Sequence, residues 1–530
     1  MRHGRRLLVG LFVAALSVSL SLGTEAPSRA SGASLIHAMK ASELTLGLDF
    51  AEARAELALG DADDPAILLE SGRLALYEGD CDTALVTLAR TEVAKTEEGS
   101  ALGDIARGCV RVTAATVVDK DVANAVEVRY QDEADRALTP LIVETVVKAR
   151  DSLTRDLGVT WPKPTRITVV RDLLSLSAMT GLPQRAAQTT GTVAVAKWGR
   201  VTLLSPRASH HGYPWRDTVA HELTHLSVTR ATVDRAPLWL QEGVAKREEQ
   251  RWREPGPFDD RPQVDSIVSR GFELKLDLPL DKLGPSIAML PSADAAMVAF
   301  AEVTSFVRYY ADTAGENALP KLLRELRAKK SPDEALRDAS GADLKGWDVR
   351  WRAYVAGKPH EPLPPMFGLG EEPHDLRGLR ESVRLAELLY GREHAKEALA
   401  ELDRIKTPNA LDDPSVRHLR ARLLEVVDRE GPHDGSTPSP QRKEAELLSG
   451  DPKDVGSSYG PWWAIRGRFA RERGEGKTAE GSFVEAVADD PLDVECACEG
   501  LDSGSRPANP AGGPLCEAAK ARGEPRIGQE

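Results

Sequence analysis

The chain has 530 residues, a length that corresponds to about three or four domains. Hydrophobic residues make up 41% and charged residues 28%, which is globular usage and excludes a disordered or integral-membrane chain. A formal charge of −13 without a long like-charged block excludes a nucleic-acid binder that works by neutralising phosphates.

At the N-terminus, Arg2, Arg5 and Arg6 precede an uncharged run from Leu7 to Gly23. This is the pattern of a secretory signal over residues 1–23, with Ser21-Leu22-Gly23 as the small-residue cleavage site. The expected location is periplasmic or extracellular. The alternative is an uncleaved membrane anchor, because the run is just long enough for a thin bilayer.

Residues 34–115 read as a helical repeat region. Gly72, Gly79 and Ala84 fall at the offsets of a 34-residue helix-turn-helix repeat, and Ala53, Leu57 and Pro65 fit a degenerate copy. The next section, 120–357, holds most of the tryptophans and changes pattern. Ala125–Gln131 alternates like a strand, Leu138–Leu157 has helical periodicity, and Thr165–Val170 is a second strand. Gly191–Leu204 reads as two strands joined at Gly199, and the remainder is helical, so strands first and helices later predict an α+β domain. A Pro- and Gly-rich linker at 358–376 leads to a second helical repeat region at 377–500, itself interrupted by a linker at Glu430–Pro461. There Trp463, Gly467, Ala479, Phe483, Ala486 and Pro491 fall in the tetratricopeptide register. Residues 501–530 read as a flexible tail. Five cysteines fit an oxidising compartment, with Cys81 paired to Cys109 and either Cys496 or Cys498 to Cys516; buried, unpaired thiols are the alternative.

The chemistry lies in Trp215–Thr229, WRDTVAHELTHLSVT. Val219, Leu223 and Leu226 form one apolar stripe, while His221 and His225 project together from another face, where one metal ion can reach both. Two imidazoles suit Zn2+, which needs a third protein ligand and an open position for catalysis. Glu222, beside the first histidine, can take a proton from a water that the metal activates. Beyond a reversal at Thr229–Ala236, Pro237 opens a second helix, PLWLQEGVAKREEQRW. Glu242 lies on it, 17 residues past His225, and an antiparallel pair of helices brings it to the histidines as third ligand.

HELTH followed by PLWLQEGVA resembles the gluzincin metallopeptidases, in particular the bacterial peptidase-MA-like domains of exported proteins. The resemblance covers about 125–357, including Ser205-Pro206 and the helical stretch Ser305–Gly357. It implies His221, His225 and Glu242 as zinc ligands, Glu222 as general base, and an edge strand within Gly191–Lys197 that holds an extended peptide. His210 and His211 stand near the site in sequence, as substrate contacts or as part of an exposed loop. The sequence departs from the family twice. Lys246, followed by Arg247, occupies the position where an acid orients a zinc histidine, and Phe300 stands where relatives suggest an oxyanion-stabilising tyrosine. Tyr309 and Tyr310 are substitutes for that hydroxyl or packing residues.

The expected architecture is thus multidomain, a central α+β zincin-like metallopeptidase domain flanked by all-α tetratricopeptide-like helical repeats. The expected function is an exported zinc-dependent peptidase acting on a peptide or protein substrate, with the repeats engaging a protein partner and no nucleic acid. A catalytically silent zinc-binding scaffold is the alternative.

Overall fold

Five short strands, β1 (Val117–Asp121), β2 (Val126–Tyr130), β3 (Thr165–Val170), β4 (Ala194–Lys197) and β5 (Arg200–Leu204), make one sheet in the order β1-β2-β3-β5-β4. In this computed structural model the described residues are 32–161, 163–208, 213–255, 259–260, 262–370, 373–407, 410–431, 438–450, 460–502, 513, 516 and 517. The signal at 1–23 and most of the tail at 501–530 lie outside them.

β2, β3 and β5 run parallel, with Val128 opposite Ile167 and Ile167 opposite Val201, whereas β1 and β4 are antiparallel edges. Trp198 (φ 55°) and Gly199 (φ 66°) turn β4 into β5 in two residues, the left-handed geometry that a tight hairpin requires. β1 was not anticipated. Its sequence ends Asp119-Lys120-Asp121, which hides the alternation that marks a half-buried strand, and it starts the sheet ahead of the boundary at 120.

Each face of the sheet is covered by a different part of the chain. Val128, Ile167, Val201 and Leu203 pack with Ile142 and Val146 of the helix Thr139–Leu157 and with Val219 and Leu223 of Trp215–Thr232. On the opposite face, Val170 and Leu204 join Leu76, Leu88 and Ala106 from the N-terminal helices. Those helices approach closely at Gly72, where a Cβ would stand 2.6 Å from Leu88, and Cys81 is bonded to Cys109.

The C-terminal helices form hairpins, Pro373–Gly391 with Ala395–Leu402 and Gly460–Glu472 with Gly476–Asp489. Gly467 makes room for Phe483, whose ring a Cβ there would meet at 2.5 Å. Trp215 Nε1 donates to Asp489 O at 2.9 Å and Leu492 enters the central core, so this region is docked on the central domain. Cys498 is bonded to Cys516, which leaves Cys496 buried and free.

The described parts of both linkers contain regular structure and side-chain anchors. In 358–376 the backbone N–H groups of Glu361 and Met366 donate to Ser266 Oγ (3.0 Å) and Asp413 Oδ2 (2.7 Å), and the helix from Pro373 begins inside it. Within Glu430–Pro461 a helix spans Pro440–Ser449, started by Ser439, whose hydroxyl accepts from Arg442 N at 2.9 Å. A Ser-Pro pair at a helix start is a local signal that the Pro and Gly content masked. Among the described residues no helix is long and apolar enough to cross a membrane.

Candidate metal centre

Two successive helices carry the site. The first, Trp215–Thr232, buries Val219, Leu223 and Leu226 against the sheet, which turns His221 and His225 to its other side. It ends in Val233 (φ 52°) and Asp234 (φ 56°), whose left-handed backbone reverses the chain. Pro237 then caps the second helix, Leu238–Glu248. Gly243 lets that helix lie against the long helix Ala293–Ala314, since a Cβ there would stand 2.5 Å from Val303 O and 2.4 Å from Val307 Cγ2. That contact seats the neighbouring Glu242.

The three residues converge. One ligand atom from each of His221, His225 and Glu242 lies within 4.8 Å of the others. The two Nε2 atoms are 3.2 Å apart, and Glu242 Oε2 stands 3.5 Å from His225 Nε2 and 3.8 Å from His221 Nε2. The far side of each ring is held by an acceptor: His221 Nδ1 faces Glu249 Oε2 at 3.1 Å and His225 Nδ1 faces Gln241 Oε1 at 3.5 Å. With Nδ1–H donated outward, both Nε2 lone pairs point into the cluster. Two imidazole nitrogens and a carboxylate oxygen are the donor set of a catalytic zinc site, so the residues present fit the ion.

Sequence reading did not single out Glu249, the carboxylate that faces His221 Nδ1. The family pattern places such an acid at position 246, one turn after Glu242. Here it lies two turns after, and Lys246 Nζ bridges back to it at 3.0 Å and 3.2 Å. Positions 242, 246 and 249 share one helix face, which was the available signal. Burial opposes ionisation of Glu249, but Lys246 and His221 together hold its carboxyl at about 2.

Glu222 is 6% exposed, and burial raises its pKa above the ordinary value, partly offset by the two histidines. A hydrogen bond from Ala196 N–H reaches its carboxylate. Ala196 lies on β4, the edge strand within Gly191–Lys197, so the base sits beside a strand edge that has no second strand partner among the described residues. Phe300, one turn before Val303, shares the face of the long helix turned to Gly243. Tyr309 and Tyr310 instead pack edge-on against Trp347, with centroids at 6.2 Å and 5.0 Å, which is the packing reading. His210 and His211 lie outside the described residues.

Strands leading into a histidine-pair helix and a glutamate helix are the layout expected of a zincin-like domain. The family model described as Peptidase MA superfamily matches residues 146–357, which supports a zincin-like peptidase domain in this part of the chain. Among solved structures the chain is similar to native yeast LTA4 hydrolase, at 12% identity and a TM-score of 0.29, over 76% of this chain and 66% of that one. The same yeast enzyme in complex with bestatin gives 12% and 0.28, over 75% and 66%. Native leukotriene A4 hydrolase from Saccharomyces cerevisiae gives 11% and 0.27, over 76% and 67%. No curated protein matches.

Proposed function

We propose that this chain is an exported zinc-dependent peptidase, with His221, His225 and Glu242 as zinc ligands and Glu222 as general base. The observation that carries the proposal is the convergence of the three ligand atoms within 4.8 Å on the helix that also presents Glu222. When bound, zinc would polarise the scissile carbonyl and make water a nucleophile near neutral pH. Glu222 takes the proton of the attacking water and passes it to the leaving amine. The free edge of β4 pairs with an extended peptide and sets its register over Glu222. Glu249 and Gln241 fix the two imidazoles throughout. Two disulfides support an oxidising compartment and hence export. The tetratricopeptide-like helices would serve a protein partner.

The second reading, a silent zinc-binding scaffold, draws support from Phe300 and from the packing of Tyr309 and Tyr310, which leave no tyrosine hydroxyl assigned to the oxyanion. Lys246 does not favour it, because Glu249 supplies an acid at His221 Nδ1. The test is cleavage of an unfolded protein by the purified chain, with and without a chelator. The proposal expects stoichiometric zinc and cleavage that stops on chelation and returns with zinc. Stoichiometric zinc without cleavage would leave the scaffold; absence of zinc would defeat both readings.

A further inference from the structure

The sheet face turned to the N-terminal helices carries a row of positive charge that one shared carboxylate only partly compensates. Arg129 on β2, Arg166 on β3 and Arg200 on β5 line one narrow cleft with Thr113, Thr168 and Glu127. Arg166 is the register partner of Glu127, and it stands one step before the pair Ile167 and Val201, which sets it beside Arg200 on the neighbouring strand. Glu127 is the one carboxylate lining the cleft, and Lys120 Nζ also claims it at 3.3 Å. Like charges side by side on adjacent strands destabilise a sheet unless a counter-charge lies between them.

Arg200 is 2% exposed. Its Nη1 donates to Leu76 O at 2.7 Å, at the end of the helix Pro65–Glu78, and its Nη2 faces Cys109 Sγ at 3.3 Å. The buried Nε has no partner. Burial, then the charges of Arg129 and Arg166, pull the Arg200 pKa down to about 10. Arg129 Nη1 donates to Thr116 Oγ1 at 2.9 Å, and Arg166 forms no ion pair among the described residues. Gly79 (φ 82°) borders the cleft on the helical side, where a Cβ would come into ordinary contact with Arg166 Cδ and Arg200 Nη1, both at 3.8 Å. A buried unpaired guanidinium donor and two further arginines at one cleft are the donor set that recognises a tetrahedral oxyanion.

We propose that the cleft between Arg129, Arg166 and Arg200 is a binding site for a small oxyanion of the phosphate or sulfate class, seated between the N-terminal helices and the sheet. The bound anion neutralises the row and ties those helices to the hairpin that carries β4. The site is separate from the candidate metal centre, and the inference does not rest on peptidase activity.

The test titrates inorganic phosphate, and sulfate in a parallel arm, into the full chain at constant ionic strength with chloride as the reference salt. Binding heat and the thermal midpoint are both followed. The proposal expects saturable one-site binding and a rising Tm with at least one of the two anions. It expects Arg166→Gln and Arg129→Gln each to lose at least about tenfold in affinity while remaining folded in chloride. Arg129 and Arg166 are both partly exposed, unlike Arg200, so either variant stays informative if the other fails to fold. Heats and Tm shifts no larger than those of chloride, or unchanged affinity in a folded variant, would overturn it.

Discussion

Glu249 Oε2 lies 3.1 Å from His221 Nδ1, and Lys246 Nζ lies 3.0 Å from the same carboxylate oxygen. The lysine that breaks the expected motif is thereby the residue that anchors its replacement. A carboxylate at Nδ1 fixes ring orientation and raises the basicity of Nε2. Glu249→Gln should therefore weaken zinc binding by about 10–100-fold with the fold intact. Competition with a calibrated chelator reads this directly, and Lys246→Met should give a smaller loss in the same direction. Unchanged affinity in Glu249→Gln would remove its orienting role.

Gly243 is where the Glu242 helix meets the long helix. A side chain there would overlap Val303 O and Val307 Cγ2, at 2.5 Å and 2.4 Å for the first carbon alone, and a backbone carbonyl cannot swing away. Gly243→Val should cost about 1–3 kcal/mol in denaturant unfolding. Because Glu242 is the adjacent residue, zinc affinity should fall with it. A variant as stable as the parent would show that the two helices separate freely.

Glu302 gives stability a pH dependence remote from the metal centre. Its side chain is fully buried, Leu278 N donates to Oε2 at 3.2 Å, and Arg352 Nη2 stands 4.0 Å from Oε1. Burial foremost, with Asp277 and Asp348 adding, lifts its pKa from 4.5 to about 8. Between those values the folded chain holds more protons than the unfolded chain. The contribution of Glu302 is therefore full below 4.5 and is lost as pH rises through about 8. Glu302→Gln keeps an acceptor for Leu278 and cannot ionise. Unfolding followed from about pH 5 to about pH 9 should show a fall in the parent that the variant lacks. Parallel curves would contradict this.

The legible parts of this protein were those with a local signature. Val219, Leu223 and Leu226 announced the first helix, the spacing of His221 and His225 its chemistry, and Pro237 the second helix. The turn at Gly199 was visible because a glycine between two strand-like runs suits the positive φ of a tight hairpin. What stayed hidden depended on partners distant in sequence. β1 is a strand because Val126–Tyr130 pairs with it, not because Val117–Asp121 alternates. The 358–376 segment is pinned by Ser266 and Asp413, which composition cannot report. Glu249 meets His221 only because the helix carries it two turns beyond Glu242, whereas the family pattern places the acid at position 246.

The most direct measurement compares cleavage of an unfolded protein by the full chain and by Glu222→Gln at equal, verified zinc content. Glu222 holds no zinc in this account, so the variant should load one zinc per chain as the parent does. Its rate should fall by at least about 10²-fold, the scale of a lost general base. Equal rates in the two proteins, whether measurable or nil, would contradict the assignment of Glu222 and with it the peptidase reading.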